Sequence, residues 1–205
     1  MKTYAFPMST PTRWAGVPLI DRRAERRGLL VDAAFALFGD GGEAALSVRS
    51  VCRECGLNTR YFYESFPDTD ELLGAVYDDV SRQLGEAVGL AMETAGDSPR
   101  ARARAGMAAV LGFSSADPRR GRVLFTDARA NPVLAARRLV TQDLLLDAVV
   151  AEDGRLHPDA DPIGAMVGAA MFTGAMAELA QQWLAGNLGA DLDAVVDHAV
   201  AQVLG

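Results

Sequence analysis

The sequence predicts an all-α protein with a small N-terminal helix-turn-helix domain and a larger helical C-terminal domain. Three observations predict this fold class. Apolar residues recur at helical spacing along most of the 205 residues. Capping residues, glycines and prolines separate these periodic segments. No segment shows a convincing strand pattern or an internal repeat.

The first helix is predicted to begin with Asp21 as its cap and to end at the glycines after Phe38. Its inner face carries apolar residues at i, i+3, i+4 spacing: Leu30, Ala33, Ala34, Leu37 and Phe38. Residues 1–20 are interrupted by three prolines and are predicted to form a flexible arm. The arm, or the arginines that open the helix, either face solvent or contact DNA phosphates or the minor groove. These arginines are Arg22, Arg23, Arg26 and Arg27.

Two short helices are predicted next, separated by a tight turn. Ser47 is placed to cap the second helix, and Gly56 follows it where a turn requires positive φ. Asn58 is placed to cap a third helix, Thr59 to Phe66, which Pro67 ends. Two short helices joined by a glycine-bearing turn are typical of a helix-turn-helix, whose second helix enters the major groove of DNA. Residues 21–67 are therefore predicted to be a DNA-binding domain.

The segment from Leu30 to Leu73 resembles the DNA-binding domain of the TetR family of transcriptional regulators. The resemblance implies a homodimer, most often a repressor, that binds a palindromic operator and responds to a small-molecule effector. The sequence departs from the family after Phe66-Pro67, where the family usually has a phosphate-binding lysine and this chain has Thr69. The most specific matching elements are Ala33-Ala34, Phe38, Ser47-Val48-Arg49, Gly56-Leu57, Tyr63, Phe66-Pro67 and Glu71-Leu72-Leu73.

Arg60 is the predicted base-reading residue, because its planar fork matches the acceptors of guanine in the major groove. The alternative role for Arg60 is a surface ion pair with Glu64, and Tyr63 could contact phosphate or simply pack. The full set of predicted DNA contacts is Ser47, Arg49, Asn58, Thr59, Arg60, Tyr61, Tyr63, Glu64 and Thr69.

Charge is distributed unevenly along the chain, which has a net charge of −7. Residues 1–66 hold nine cationic side chains against seven acids, a net +2, and residues 67–205 hold eleven against twenty, a net −9. This polarity fits a chain in which one end approaches phosphates. Met1 to Ile20 lack the apolar core of a signal peptide, so a cytoplasmic location is expected.

The C-terminal domain is predicted to cover residues 68–205 and to begin with a connecting helix at 68–93. Asp68 and Glu71 form a capping-box-like start, and the inner face of the helix carries apolar residues. Further helices are predicted at about 99–113, 118–130, 132–152, 162–186 and 191–204, from Pro, Gly and Asn-Pro signals.

Ile163 to Ala185 contain a single charged residue, Glu178, so this helix must be covered on every side. A membrane span is disfavoured because the uncharged stretch ends at Ala177, short of the roughly 20 residues that a bilayer needs. Burial against a second copy is favoured, and the TetR resemblance implies pairing through the last two long helices. The predicted dimer-interface residues are Gly164, Gly168, Gly174, Glu178 and Val195.

The TetR resemblance also implies an effector site in the C-terminal domain. Flexible methionines and aromatic residues could line an apolar cavity there, although the same stripe is more often plain core. The predicted effector residues are Met107, Leu111, Phe125, Met171, Phe172 and Met176.

Cys52 and Cys55 have C-x-x-C spacing, but both lie on an apolar helix face and no second Cys pair exists, so buried thiols are predicted rather than a metal site. No cofactor and no catalytic nucleophile with a histidine base are predicted.

The sequence therefore predicts a transcriptional regulator, a repressor released from its operator by a small apolar effector. Its expected partners are double-stranded DNA, a second copy of the chain and that effector, without a membrane. An activator of the same fold remains open, as does a helical ligand-binding protein or enzyme with a vestigial DNA-binding head.

Overall fold

The computed structural model describes residues 19–156 and 161–204, and every regular element within these ranges is helical. The all-α prediction is confirmed. The arm predicted at residues 1–20 lies outside the described residues except for its last two positions. The elements are α1 (Leu19–Gly41), α2 (Val48–Glu54), α3 (Thr59–Ser65), α4 (Thr69–Thr94), α5 (Pro99–Ala116), α6 (Pro118–Gly121), α7 (Pro132–Leu156), α8 (Pro162–Leu184) and α9 (Leu192–Leu204).

The first helix starts earlier than predicted. Helix α1 begins at Leu19, so Asp21 lies within its first turn and is not its cap. At the other end, Gly42 adopts φ 67° and its N–H donates to the Phe38 carbonyl at 2.7 Å, which closes the helix as predicted.

Side-chain caps define the helix-turn-helix, and the predicted caps are confirmed. The Ser47 hydroxyl accepts from the Ser50 amide at 3.1 Å, and the Ser50 hydroxyl accepts from the Ser47 amide at 2.9 Å, so α2 has a reciprocal capping box. Gly56 takes φ 68° in the turn. Asn58 Oδ1 accepts from the Arg60 amide at 2.9 Å and caps α3.

One apolar core joins the helix-turn-helix to the larger domain. It includes Phe38 of α1, Phe62 of α3 and Phe66 directly after α3. Leu72 and Leu73 at the start of α4 complete it. Residues after α6 also enter this core: Val123, Leu124, Ala128 and Leu134. The core therefore crosses the domain boundary predicted at residue 67.

A second, smaller core lies among α5, α8 and α9. Its buried members are Met107, Leu111, Met176, Ala180, Val196 and Val200. Phe125 packs against both cores, so it is positioned where the two meet.

The helix predicted at 118–130 is not continuous. Helix α6 ends at Gly121, and a π-helical turn (Arg122–Thr126) and a 3-10 turn (Asp127–Arg129) follow it. Gly121 packs closely, because a Cβ there would lie 2.8 Å from the Leu184 side chain and 3.2 Å from the Ser114 carbonyl oxygen. This contact is long-range, so the periodicity of the segment alone could not indicate it.

We expect two alanine substitutions within α1 to have opposite effects on stability. At Gly39, an added Cβ would meet the stem of Arg119 at 2.5 Å, and Arg119 is held in place by Asp117 at 2.9 Å. Gly39→Ala should therefore lower the free energy of unfolding by about 1–3 kcal/mol. Gly28 has no atom within 4 Å of an added Cβ, so Gly28→Ala should raise the free energy of unfolding by about 0.5–1 kcal/mol.

Chemical denaturation of both variants measures this contrast. Equal stabilisation by the two substitutions would show that the contact between α1 and α6 is not tight.

Candidate nucleic-acid interface

Helix α3 buries one face and exposes the other. Phe62 and the following Phe66 are buried in the first core, with their ring centroids 6.1 Å apart. Thr59, Arg60 and Tyr63 are exposed, and the Arg60 side chain is 82% exposed. This arrangement leaves a basic fork on the outer surface of the second helix of the motif.

Arg60 forms the ion pair that the sequence left as an alternative. Its Nε lies 2.9 Å from Glu64 Oε1, four residues along α3. Arg26 Nη2 from α1 lies 4.0 Å from the other carboxylate oxygen, Oε2. Glu64 therefore sits between a cation on its own helix and a cation on α1.

Arginines of α1 hold α3 in place. The guanidinium of Arg23 donates to the backbone carbonyl of Glu64. Arg26 stacks over the Tyr61 ring at 4.4 Å and Arg27 over the Phe66 ring at 4.2 Å. From the sequence, these arginines are expected to face solvent or to contact DNA, and their contacts with α3 are not predicted. The contacts join positions about 40 residues apart, and no local pattern indicates them.

Several predicted DNA contacts also serve as helix caps. Ser47 and Asn58 use a side-chain oxygen to accept a backbone N–H, and the Thr59 hydroxyl donates to Asn58 Oδ1 at 3.4 Å. Arg49 is exposed at the start of α2, and Thr69 is half-buried as the first residue of α4. These residues place polar groups at the helix N-termini, where backbone N–H groups favour phosphate.

The two cysteines belong to the packed side of α2. Cys52 is buried, and its burial raises the pKa of its thiol, with the neighbouring Cys55 adding to the effect. Cys55 is half-buried and its Sγ donates to the Val51 carbonyl at 3.1 Å. Within residues 19–156 and 161–204, no group of three or more His, Cys, Asp or Glu side chains could hold a metal ion.

Polar contacts also link the helix-turn-helix to the segment after α6. Arg122 Nη1 donates to the Gly39 carbonyl at 2.8 Å, and its Nη2 lies 3.0 Å from Asp127 Oδ2. Asn131 Nδ2 donates to Glu43 Oε2 at 2.9 Å. The end of α1 is thus held by the π-helical turn that contains Phe125.

A further link joins α4 to α7. Arg137 lies 3.3 Å from Glu71 and 3.0 Å from Asp78. Partial burial nevertheless raises the pKa of Asp78 above its usual range, because desolvation outweighs the nearby guanidinium of Arg137.

The structure brings together most, but not all, of the predicted effector residues. Met107, Leu111 and Met176 are buried in the second core, and Phe125 and Phe172 pack against it. Met171 is separate from this group, with 71% of its surface exposed. Two surface depressions lie elsewhere: a groove of about 510 Å³ between α4 and α5, and a cleft of about 160 Å³ between α1, α4 and α6.

The predicted dimer residues on α8 are at the surface. Gly164, Gly168, Gly174 and Glu178 are all exposed, whereas Val195 on α9 is half-buried against the second core. The exposed surface of α8 is strongly apolar and includes Ile163, Met166, Val167 and Met171. Large apolar residues of α7 are also exposed: Leu139, Val140, Leu144 and Leu145.

Helix α8 is the one described helix that is long and apolar enough to cross a membrane. Only 17% of its apolar window is buried within the chain, so it is not an internal core helix of a monomer.

Comparison with known proteins agrees with the site. The sequence profile of bacterial regulatory proteins, tetR family, matches residues 30–76. The HTH-type transcriptional regulator BetI of Burkholderia thailandensis is 33% identical over 93 residues, which are 45% of this chain and 48% of BetI. BetI of Stenotrophomonas maltophilia is 35% identical over 80 residues, 39% of this chain and 41% of BetI. The chain thus matches less than half the length of these curated relatives.

Solved structures extend the similarity of fold beyond the helix-turn-helix. The fatty acid degradation regulator FadR from Bacillus halodurans has a TM-score of 0.72 at 15% identity, covering 88% of this chain and 95% of FadR. A putative TetR-family transcriptional regulator from Rhodococcus sp. has a TM-score of 0.68 at 17% identity, covering 88% of this chain and 97% of that one. FadR from Bacillus subtilis in complex with stearoyl-CoA has a TM-score of 0.69 at 14% identity, covering 87% and 97%.

The profile match lies on the helix-turn-helix, and the solved structures share the fold of both parts of the chain. The matched regulators also support the prediction that the chain is not an enzyme. Residues 30–76 of this chain therefore match the tetR family of bacterial regulatory proteins, and the chain shares the fold of a solved TetR-family structure.

Proposed function

We propose that the protein is a sequence-specific transcriptional repressor that binds a palindromic operator as a homodimer. The exposed basic face of α3 carries this proposal. Its opposite face is fixed in the first core, and Arg60 projects into solvent at the surface that a second helix of this motif presents to DNA. Arg60 would pair with guanine, while Ser47, Thr59 and Tyr63 would contact phosphates.

Arg60→Ala should weaken operator binding by about 1–3 kcal/mol and relax base preference at one position in each half-site. The physical reason is the loss of a planar donor pair without any loss of core packing, since Arg60 is exposed. Fluorescence anisotropy on the operator and on random duplex DNA measures both effects.

Arg100→Ala is the matched control, because it removes an exposed arginine of α5 in the larger domain. We expect it to leave operator affinity and base preference unchanged. If Arg60→Ala lowers affinity for operator and random DNA equally, Arg60 contacts only the backbone.

The homodimer is supported by the apolar surface of α7 and α8. Helices α7 and α8 pack against each other and both expose large apolar side chains, so we propose that a second copy covers them. Helix α9 is occupied elsewhere, because Arg104 of α5 binds Asp193 at 2.8 Å and Asp197 at 2.7 Å and Val196 is buried. The proposed interface therefore consists of α7 and α8, with Gly168 and Gly174 allowing close approach of a partner helix.

Gly168→Leu should weaken the dimer while stabilising the folded monomer. No atom lies within 4 Å of a Cβ at Gly168, so the new side chain fits the isolated chain and improves helix propensity by roughly 0.5–1 kcal/mol. A closely packed partner helix would be displaced by it. Sedimentation velocity in detergent-free buffer measures the dimer, and thermal unfolding at low protein concentration measures the monomer.

Gly85→Leu provides the control, since Gly85 is an exposed α4 glycine that also has no atom within 4 Å of an added Cβ. It should leave the dimer intact. An unchanged dimer for Gly168→Leu would exclude close packing at this position. Insolubility of the wild-type chain without detergent would favour the membrane alternative for α8.

We further propose that an apolar effector releases the operator by separating helices around Phe125. This residue packs against both cores, and the turn that contains it binds the end of α1 through Arg122. A ligand changes DNA affinity only if it prefers one arrangement of the two DNA-binding heads.

By reciprocity, operator DNA must weaken effector binding by the same factor, about 5- to 150-fold for a coupling of about 1–3 kcal/mol. Stearoyl-CoA is a first probe, because the solved complex of a structural neighbour contains it. Calorimetric titration of the free dimer and of its operator complex measures the factor. Equal affinity of an effector for both would rule out this coupling.

The two remaining alternatives make different predictions. A vestigial head would bind DNA without sequence preference, whereas an activator would bind an operator and raise transcription from a reporter. The exposed Arg60 and the intact caps at Ser47 and Asn58 favour a functional head.

A further inference from the structure

We propose that Glu64 is a positioning residue that orients the Arg60 guanidinium for base recognition and lowers the affinity of the protein for random DNA. The inference rests on the proposed function of α3. It makes the ion pair part of sequence recognition, so the two roles considered for Arg60 are complementary.

The geometry of the pair leaves the base-reading edge of Arg60 available. Glu64 Oε1 accepts from Nε at 2.9 Å, which is the inner nitrogen of the guanidinium. Within the described part of the chain, the two terminal amino groups of Arg60 donate to no protein acceptor. These two groups form the fork that can pair with O6 and N7 of one guanine.

Glu64 is itself fixed from outside α3. Its side chain is 38% exposed, its Oε2 lies 4.0 Å from Arg26 of α1, and Arg26 is stacked over Tyr61 at 4.4 Å. Its backbone carbonyl accepts from Arg23, also of α1. The backbone of Glu64 is thus bound to α1, and its carboxylate lies near a second cation on that helix, from where it can restrict the rotamers of the long, exposed Arg60 side chain.

Helix stabilisation alone gives a poor account of this arrangement. A pair with the arginine N-terminal to the glutamate is the weaker order along a helix. Restricting a flexible side chain before binding raises affinity for the matching ligand, because less conformational entropy is lost on binding.

The negative charge of Glu64 has a second consequence. A carboxylate on the DNA-facing helix repels phosphates on any sequence. This repulsion is offset where Arg60 gains its contact with the correct base. Glu64 therefore widens the difference in affinity between operator and random DNA in two ways. It raises affinity for the operator by orienting Arg60, and it lowers affinity for random DNA by repelling phosphates.

The two effects can be separated by two substitutions of Glu64. Glu64→Ala removes both the charge and the acceptor for Arg60 Nε, whereas Glu64→Gln removes the charge and keeps an acceptor oxygen. Neither changes the backbone carbonyl that Arg23 binds, so the docking of α3 on α1 should persist. Glu54→Gln on α2 is the control, because it neutralises another exposed acid of the same domain.

The experiment selects binding sites for each full-length variant from a randomised duplex library and then measures binding to the recovered operator and to a random duplex. Arg60→Ala identifies the base position that Arg60 recognises. We expect Glu64→Ala to reduce preference at that same position by roughly 5-fold or more. Glu64→Gln should retain most of that preference, and the double variant Arg60→Ala/Glu64→Ala should lose no more than Arg60→Ala alone.

Affinity for random duplex DNA should rise by roughly two- to fivefold in both Glu64 variants, the size of an exposed charge interaction, and the rise should shrink as salt is added. Glu54→Gln should leave the base preference unchanged. The proposal is overturned if Glu64→Ala keeps wild-type preference at the Arg60 position. It is also overturned if Glu64→Gln loses as much preference as Glu64→Ala. Absence of any preferred site for the wild-type protein would instead overturn the proposed function on which it rests.

Discussion

Burial of the inner face of α3 determines how the helix-turn-helix packs and which side chains it presents to solvent. Phe62 and Phe66 fill the space between α1 and the start of α4, and each contributes roughly 1.5–3 kcal/mol through its buried apolar surface. A helix of seven residues has little stability alone, so these contacts determine whether α3 exists as a helix. The same contacts determine which side chains face outward. Arg60 is exposed because Phe62 is buried.

The shared core also provides a physical connection between the helix-turn-helix and the larger domain. Helix α3 packs in the same apolar cluster as Leu72 and Leu73 of α4 and Val123 of the π-helical turn. Arg122 adds a polar link from that turn to the end of α1. The effector-induced movement that we propose around Phe125 would therefore reach the helix-turn-helix along two routes, through α4 and through α1. Contacts of this kind transmit a change only if the segment has two stable arrangements.

Much of the helix-turn-helix could be predicted from the sequence, because the residues that determine its structure act over only a few positions. Ser47, Gly56 and Asn58 act on the backbone within a few residues, and the apolar spacing of α1 fixes its buried side. The π-helical turn after Gly121, the arginines of α1 stacked on α3 and the exposure of Met171 depend on contacts between distant segments. Periodicity identifies a buried or apolar face, but it does not say which neighbour covers it.

We propose that the exposed face of α3 recognises a DNA sequence as one half of a two-fold pair. The decisive measurement is selection of binding sites from a randomised duplex library by the wild-type protein, followed by sequencing. We expect a palindrome with two half-sites whose centres lie about one helical turn of DNA, or a multiple of it, apart. Recovery of no preferred sequence, or of a single half-site without symmetry, would contradict it.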